Sequence, residues 1–286
     1  MTEGNTLQDD RVVRVGLIET ANVLILCVSA VLIIGLHRFQ LELVHAVGWG
    51  VWAVGLLSLW KTEPDFRRNV FLVYLAIAIL GFTPINTEVD TKHILVMGAT
   101  LSVAVAVPYG LSRWVLKDHV IRFKFHHGRR WTRSEILWVV FAIVLSYLLL
   151  PFYLSETGAW KNWTVTDDPG QVLRVFIGTN GLGIWDELFF INVCLGIFRR
   201  YFTFRFANLA QAVLFTSFLY ELGFTGWWGP IMIFIFALLQ GITFRNTESL
   251  LYVIVIHLSI DLVLFLALVN MHQPQWADIF VTVVGR

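Results

Sequence analysis

Apolar runs of bilayer-spanning length recur along this chain, separated by short charged or turn-rich breaks, and that recurrence leaves few folds open to it. A helix needs about 20 apolar residues to cross a hydrocarbon core, where every backbone polar group must find its partner within the protein. The pattern predicts nine helices, over about 15–36, 41–60, 69–85, 93–116, 133–154, 171–198, 207–222, 228–244 and 250–270, of which the third and eighth are short. Charged residues make up only 14% of the chain, against about 25% in an ordinary soluble domain. That deficit excludes disorder and argues against a soluble enzyme. The expectation is an all-α, polytopic transmembrane bundle of about nine spans, with eight as the alternative.

The first ten residues are polar, with Glu3, Asp9 and Asp10. The run that follows is longer than a signal-peptide core and lacks a small-x-small cleavage site, so it reads as a retained first span. Cys27 and Cys194 both sit inside apolar runs, which makes a disulfide or a thiolate metal site an unsuitable reading.

Lys and Arg are segregated by loop. With nine spans, alternate loops hold 16 and 4 of them, and Arg174 stands at the start of the sixth span. The segment from Arg113 to Arg133 alone carries seven. Basic loops stay cytoplasmic, so the N-terminus is expected inside, the C-terminus outside, and the membrane to be the plasma (cell inner) membrane. His119, His126 and His127 lie in the same basic segment. A solvated face against anionic headgroups suits them better than a metal site. Trp160 and Trp163, beside Asp167 and Asp168, fit an outer interfacial belt. No internal repeat is evident. Residues 1–170 read as scaffold spans with the basic loop, 171–272 as a core richer in polar residues, and 273–286 as a tail, all in one membrane domain.

Ionisable groups at membrane depth are costly and mark function by default. The sixth run places Asp186 and Glu187 in mid-span, the seventh ends on Tyr220 and Glu221, and the ninth carries His257 and Asp261 at i and i+4 on one helical face. At 1.5 Å per residue, Glu187 and His257 are each roughly 18 Å from the inner boundary, and Glu221 roughly 24 Å. The first two can meet at one level; Glu221 could join them only from a turn above. Gly178, Gly181 and Gly183 would let the sixth helix approach its neighbours closely. Carboxylates and an imidazole around a buried water can serve as general base and acid, with Asp261 holding the ring or fixing its tautomer. Two other readings stand beside this one: polar residues satisfying one another across helices, and the relay of a proton-coupled transporter. There is no H-E-x-x-H and no G-x-S-x-G, so zincin and serine-hydrolase chemistry find no motif.

The stretch from Asp186-Glu187 to Arg199-Arg200 resembles the first motif, E-E-x-x-x-R-G, of the CPBP family, the CAAX proteases and bacteriocin-processing (ABI) proteins. The resemblance continues through Phe215 and is strongest at Phe244-Arg245-Asn246-Thr247-Glu248-Ser249-Leu250 followed by His257-Leu258-Ser259-Ile260-Asp261, which is similar to the family's r-T-g-S-l turn and H-x-x-x-N/D motif. It covers roughly the last 100 residues. Asp186 stands where the family has its catalytic glutamate, Glu187 fills the second acidic position, and Ile191 and Asn192 stand where Arg and Gly are expected. In the second motif, F-x-x-x-H, Phe215 is in place but Leu219 falls on the histidine; Tyr220 or Glu221 would substitute only if the helix shifted. The resemblance implies an intramembrane endopeptidase acting on a membrane-bound, prenylated or otherwise lipidated peptide substrate, with Asp186 or Glu187 as base, His257 and Asp261 orienting water or the oxyanion, and Glu221 as a possible third member. Some members of the family are instead non-proteolytic scaffolds or immunity partners. No cofactor and no nucleic acid are expected; a divalent metal such as zinc stays open, although one histidine among carboxylates is a poor zinc set.

Overall fold

The computed structural model describes residues 16–83, 85–126, 128–276 and 278–283. Glu3, Asp9, Asp10, Arg11, Arg14, His127 and Arg286, which entered the charge reading above, lie outside the described residues. Among the described residues the chain is helical without a strand. Among the described residues nine long helical segments follow one another: α1 (Leu17–Gly35), α2 (Glu42–Lys61), α3 (Pro64–Gly81), α4 (Thr91–Leu116), α5 (Arg133–Thr157), α6 (Pro169–Phe198), α7 (Phe204–Glu221), α8 (Gly229–Thr247) and α9 (Leu250–His272).

Seven of them are long and apolar enough to cross a membrane; α3 and α7 are the two that fall short. The sequence pattern marked the third and eighth as short. The third in fact begins earlier, at Pro64, so that Asp65, Arg67 and Arg68 form its first turns instead of a loop. The eighth reaches full length because it runs on to Thr247. Both α3 and α7 carry long buried faces, including Phe66, Val70 and Tyr74 on one and Ala207, Leu214 and Phe218 on the other. Helices enclosed by other helices need less apolar surface than lipid-facing ones.

Burial sorts the spans. Of the most apolar stretch of α6, 72% lies inside the protein, and of α9, 61%; α2 and α5 have only 17% and 22% inside. The polar helices are thus central and the plain ones peripheral. α1 packs against α2, α3 against α4, α7 against α8, and α6 against α9, while α5 leans along α9. α1 also crosses onto α7, where Cys27 lies against the carbonyl of Ala210. Both cysteines are free and buried.

Several polar devices fix these packings. Asn22 on α1 donates to the Gly55 carbonyl at 2.8 Å and to the Ser58 hydroxyl at 2.7 Å on α2. Gln211 and Asn208 on α7 donate to the Ala237 and Leu238 carbonyls of α8, and Gly241 leaves room for the Asn208 amide. Interhelical hydrogen bonds of this kind act as local glue where no hydrophobic force separates helix from lipid.

The basic segment after α4 is laid against the α8–α9 turn. The backbone N–H groups of Leu250 and Leu251 donate to the carbonyls of Lys124 and Phe125 at 2.8 and 3.1 Å, and Lys124 pairs with Glu248 at 3.1 Å. Arg129 pairs with Glu135, which raises the pKa of its guanidinium. Trp163 is buried against Phe224 instead of facing an interfacial belt. The tail turns back onto α5: the Tyr147 hydroxyl donates to the Ile279 carbonyl at 2.6 Å, and Phe280 is buried beside it.

Lys124 and Lys161 flank α5. Cysteines placed there are expected to react with a membrane-impermeant maleimide from opposite faces of sealed vesicles; labelling of both from one face would remove α5 from the spans.

Candidate active site

Asp168 opens α6, its carboxylate accepting from the backbone N–H groups of Gly170 and Gln171, with Pro169 at the first helical position. Cap and proline set the helix start. Up to Asp186 the backbone is α-helical; from Glu187 to Leu195 it widens into a π-helical run. Wide turns of this sort occur often at functional sites. Across from it, Ser249 caps α9 by accepting from the Tyr252 N–H, which sets the register of His257 and Asp261.

The contact of α6 with α9 depends on Gly183. A Cβ at that position would run into the Asp261 carboxylate and come within 3.2 Å of the His257 ring. Gly178 and Gly181, expected to serve the same close approach, do not: a Cβ there would meet nothing within 4 Å. All three glycines line one cavity.

At this crossing His257 Nδ1 lies 2.8 Å from Glu187 Oε1, and Nε2 lies 3.9 Å from Asp186 Oδ2 and 3.7 Å from Asp261 Oδ1. All four side chains are buried. Glu187 Oε1 also accepts from Gln240 Nε2 at 2.7 Å, and that amide reaches on to the Val253 carbonyl at 3.2 Å. Phe215 stacks on the imidazole at 6.0 Å and Phe236 meets it edge-on at 4.9 Å. The bond to Glu187 sets which nitrogen faces inward and which outward: Nδ1 is turned to Glu187, and Nε2 is left between two aspartates. Asp186 Oδ1, Glu187 Oε2 and Asp261 Oδ2 have no hydrogen-bond partner in the protein.

Asp186, His257 and Asp261 lie in the wall of a cavity of about 780 Å³; Glu187 stands behind the imidazole and does not reach it. The rest of the wall is mostly apolar, with Trp138, Phe141 and Leu145 of α5 facing Ile235 and Leu239 of α8. Separations of 3.7–3.9 Å are too long for direct hydrogen bonds but suit a bridging water.

The structure does not bring Glu221 or Tyr220 to this cluster. Glu221 accepts from the backbone N–H of Arg38 at 2.8 Å and faces His37 at 3.5 Å, tying the α1–α2 turn to the end of α7. Tyr220 presents its carbonyl to the Arg38 guanidinium. Leu219 does face the cavity. The helix is therefore in the register that an ungapped motif requires, and the place of the second-motif histidine is taken by an apolar side chain. Ile191, where arginine is expected, is buried among apolar neighbours. Gln240 supplies a donor to Glu187. Sequence reasoning passed over it, although a lone amide in the middle of an apolar span was the available signal. Among the described residues no group of three or more His, Cys, Asp or Glu converges in an arrangement that could hold a metal ion. His119 is engaged with Arg113, and His126 Nδ1 accepts from the Gly128 N–H.

A multi-helix membrane protein with a buried acid–histidine cluster at an apolar cavity is the class these features define. Residues 168–263 match the Rce1-like family, described as type II CAAX prenyl endopeptidase Rce1-like. The match begins at the α6 cap and ends just past Asp261, so it takes in every member of the cluster over about a third of the chain. It bears out the CPBP resemblance read from the motifs. No curated protein and no solved structure matches the chain.

Gly183→Ala tests the crossing. Alanine favours a helix by about 1 kcal/mol over glycine, but overpacking costs about 1–3 kcal/mol, and here the clash also displaces Asp261. A lowered thermal midpoint of the detergent-solubilised protein is expected for Gly183→Ala, and no loss for Gly178→Ala.

Proposed function

We propose that this protein is an intramembrane endopeptidase that hydrolyses a peptide bond of a membrane-associated or lipidated substrate, with Asp186 as the general base. The observation that carries the reading is the aspartate–imidazole–aspartate wall at the cavity, within the Rce1-like region. Asp186 stands in the cavity wall, whereas Glu187 stands behind the ring with Oε1 engaged by Gln240 and His257, so Asp186 receives the proton and Glu187 holds the ring. A water between Asp186 and His257 gives its proton to Asp186 and attacks the carbonyl carbon. His257, carrying a proton on each nitrogen, turns its Nε2–H to the oxyanion, and the proton on Asp186 passes to the leaving amide nitrogen as the carbon–nitrogen bond breaks. Acid–base groups of this kind contribute about 10²–10⁴-fold in rate, and a donor at the oxyanion a comparable factor. Asp261 orients the Nε2 side of the ring. Glu221 and Tyr220 take no part. In this reading the membrane is the plasma membrane, with the basic loop cytoplasmic.

A second reading rests on Leu219. With an apolar side chain in place of the second histidine, the chain would act as a non-catalytic scaffold or maturation partner that retains the fold of the site without its chemistry.

Substitution separates the two. For a peptidase, Asp186→Asn should cut substrate processing by about 10²–10⁴-fold at unchanged membrane abundance. Glu187→Gln keeps an acceptor for Nδ1–H and should cost less. For a scaffold, function should survive the Asp186→Asn, Glu187→Gln double variant, because both changes preserve shape. Processing and abundance read on one immunoblot distinguish these outcomes.

A further inference from the structure

Two nitrogens converge on one oxygen at the centre of the cluster. Glu187 Oε1 lies 2.7 Å from Gln240 Nε2 and 2.8 Å from His257 Nδ1, while Glu187 Oε2 has no hydrogen-bond partner in the protein. The contact with the imidazole can be made in two ways. Either Nδ1 carries the proton and donates to a carboxylate oxygen, or Oε1 carries it and Nδ1 accepts. The choice decides whether the ring or the acid behind it holds that proton when the other nitrogen, Nε2, meets a substrate.

The direction of the Gln240 amide follows from its second contact. Its nitrogen also lies 3.2 Å from the Val253 carbonyl, and a backbone carbonyl can only accept. With the amide turned over, its oxygen would face that carbonyl, acceptor against acceptor. Both N–H groups are therefore directed, one to Val253 and one to Glu187. The amide is also held from behind. Gln240 is buried, and the stretch of α8 around it is fastened to α7, where Gln211 and Asn208 donate to the Ala237 and Leu238 carbonyls and Gly241 makes room for the Asn208 amide. Val253 stands one turn before His257 on α9, so Gln240 bridges α6 and α9 beside the ring.

A hydrogen bond to an ionised oxygen is roughly twice as strong as one between neutral groups. The Gln240 amide thus favours the arrangement in which Oε1 is a carboxylate oxygen and the shared proton stays on Nδ1. We propose that Gln240 is a positioning residue of this site, which makes Glu187 Oε1 an acceptor and so keeps a proton on His257 Nδ1. With Nε2 protonated as well, the positive charge remains on the ring and strengthens the bond from Nε2–H to an oxyanion. The consequence for turnover rests on the peptidase reading; the place of the proton does not.

Nitrogen NMR of the full-length protein, isotope-labelled at its histidines and reconstituted in lipid bilayers, reads that proton directly, because protonated and unprotonated imidazole nitrogens resonate far apart. The His257 signals are identified by their loss in His257→Asn. Nδ1 is expected to be protonated in the wild type. Gln240→Met keeps the length of the side chain without an N–H, and should move the equilibrium toward unprotonated Nδ1 by about 10–10²-fold, the worth of one hydrogen bond to a charged acceptor; Gln240→Leu should do the same. An unprotonated Nδ1 in the wild type overturns the assignment whether or not a variant accumulates, and so does a wild-type spectrum of His257 in either variant. Turnover of a prenylated peptide with a free carboxylate end gives the second readout. Gln240→Met should lower kcat by about 10–10²-fold with little change in KM. No turnover by the wild type, with the nitrogen spectra as expected, overturns the peptidase reading for prenylated peptides and leaves the assignment. Turnover by the wild type, with its spectrum unchanged in the variants, overturns the assignment and leaves the peptidase reading.

Discussion

The hydrogen bond between His257 Nδ1 and Glu187 Oε1 joins the two most buried spans of the bundle, and the site is arranged around it. Deep in a helix bundle, a carboxylate and an imidazole have no water to fall back on, and removing one member of a buried pair typically costs about 3–5 kcal/mol because the other is left uncompensated. The surroundings serve that bond. Gly183 permits the approach, Gln240 adds a second donor to the same oxygen, and Phe215 and Phe236 hold the ring between them. With Nδ1 committed, Nε2 is presented to the two aspartates. The two adjacent acids thereby take different places: Glu187 stands behind the ring, and Asp186 in the cavity wall.

The remaining helices hold this crossing from two sides. α7 and α8 are clamped by Gln211 and Asn208, which keeps Phe215 and Gln240 in register with one another. α1 and α3 pack beneath α7 and α6, where Tyr201 accepts from Asn69 and donates to the Asp65 carboxylate at the basic end. The basic segment then fastens the α8–α9 turn through backbone hydrogen bonds, so the position of His257 is set from below by a loop far away in sequence. α5 makes most of its contact with α9 and is held as well by the returning tail. The part of the molecule most enclosed by other helices is thus the part that carries the cluster.

Much of the architecture was legible in the chain. The lengths and spacing of the apolar runs are imposed by the hydrocarbon thickness, and all nine appear as helices close to their expected ranges. The i, i+4 spacing of His257 and Asp261 and the equal depths of Glu187 and His257 follow from helical geometry alone. The sequence also established which side chain occupies each motif position, Leu219 and Ile191 included. What it could not yield was direction. Glycines at 178, 181 and 183 look alike in the sequence, yet only the last admits a neighbouring helix and the other two stand in open space, because only the packing angle decides which face meets α9. Glu221 and Glu187 are both acids at depth; the α1–α2 turn captures the first through backbone and histidine contacts separated from it by more than a hundred residues of chain. Gln240 acquires its part only once α8 is placed beside α6. Periodicity and hydropathy act along one helix and are written in the sequence, whereas the choice of partner between helices depends on how nine of them share a finite interior, and the folded structure alone decides it.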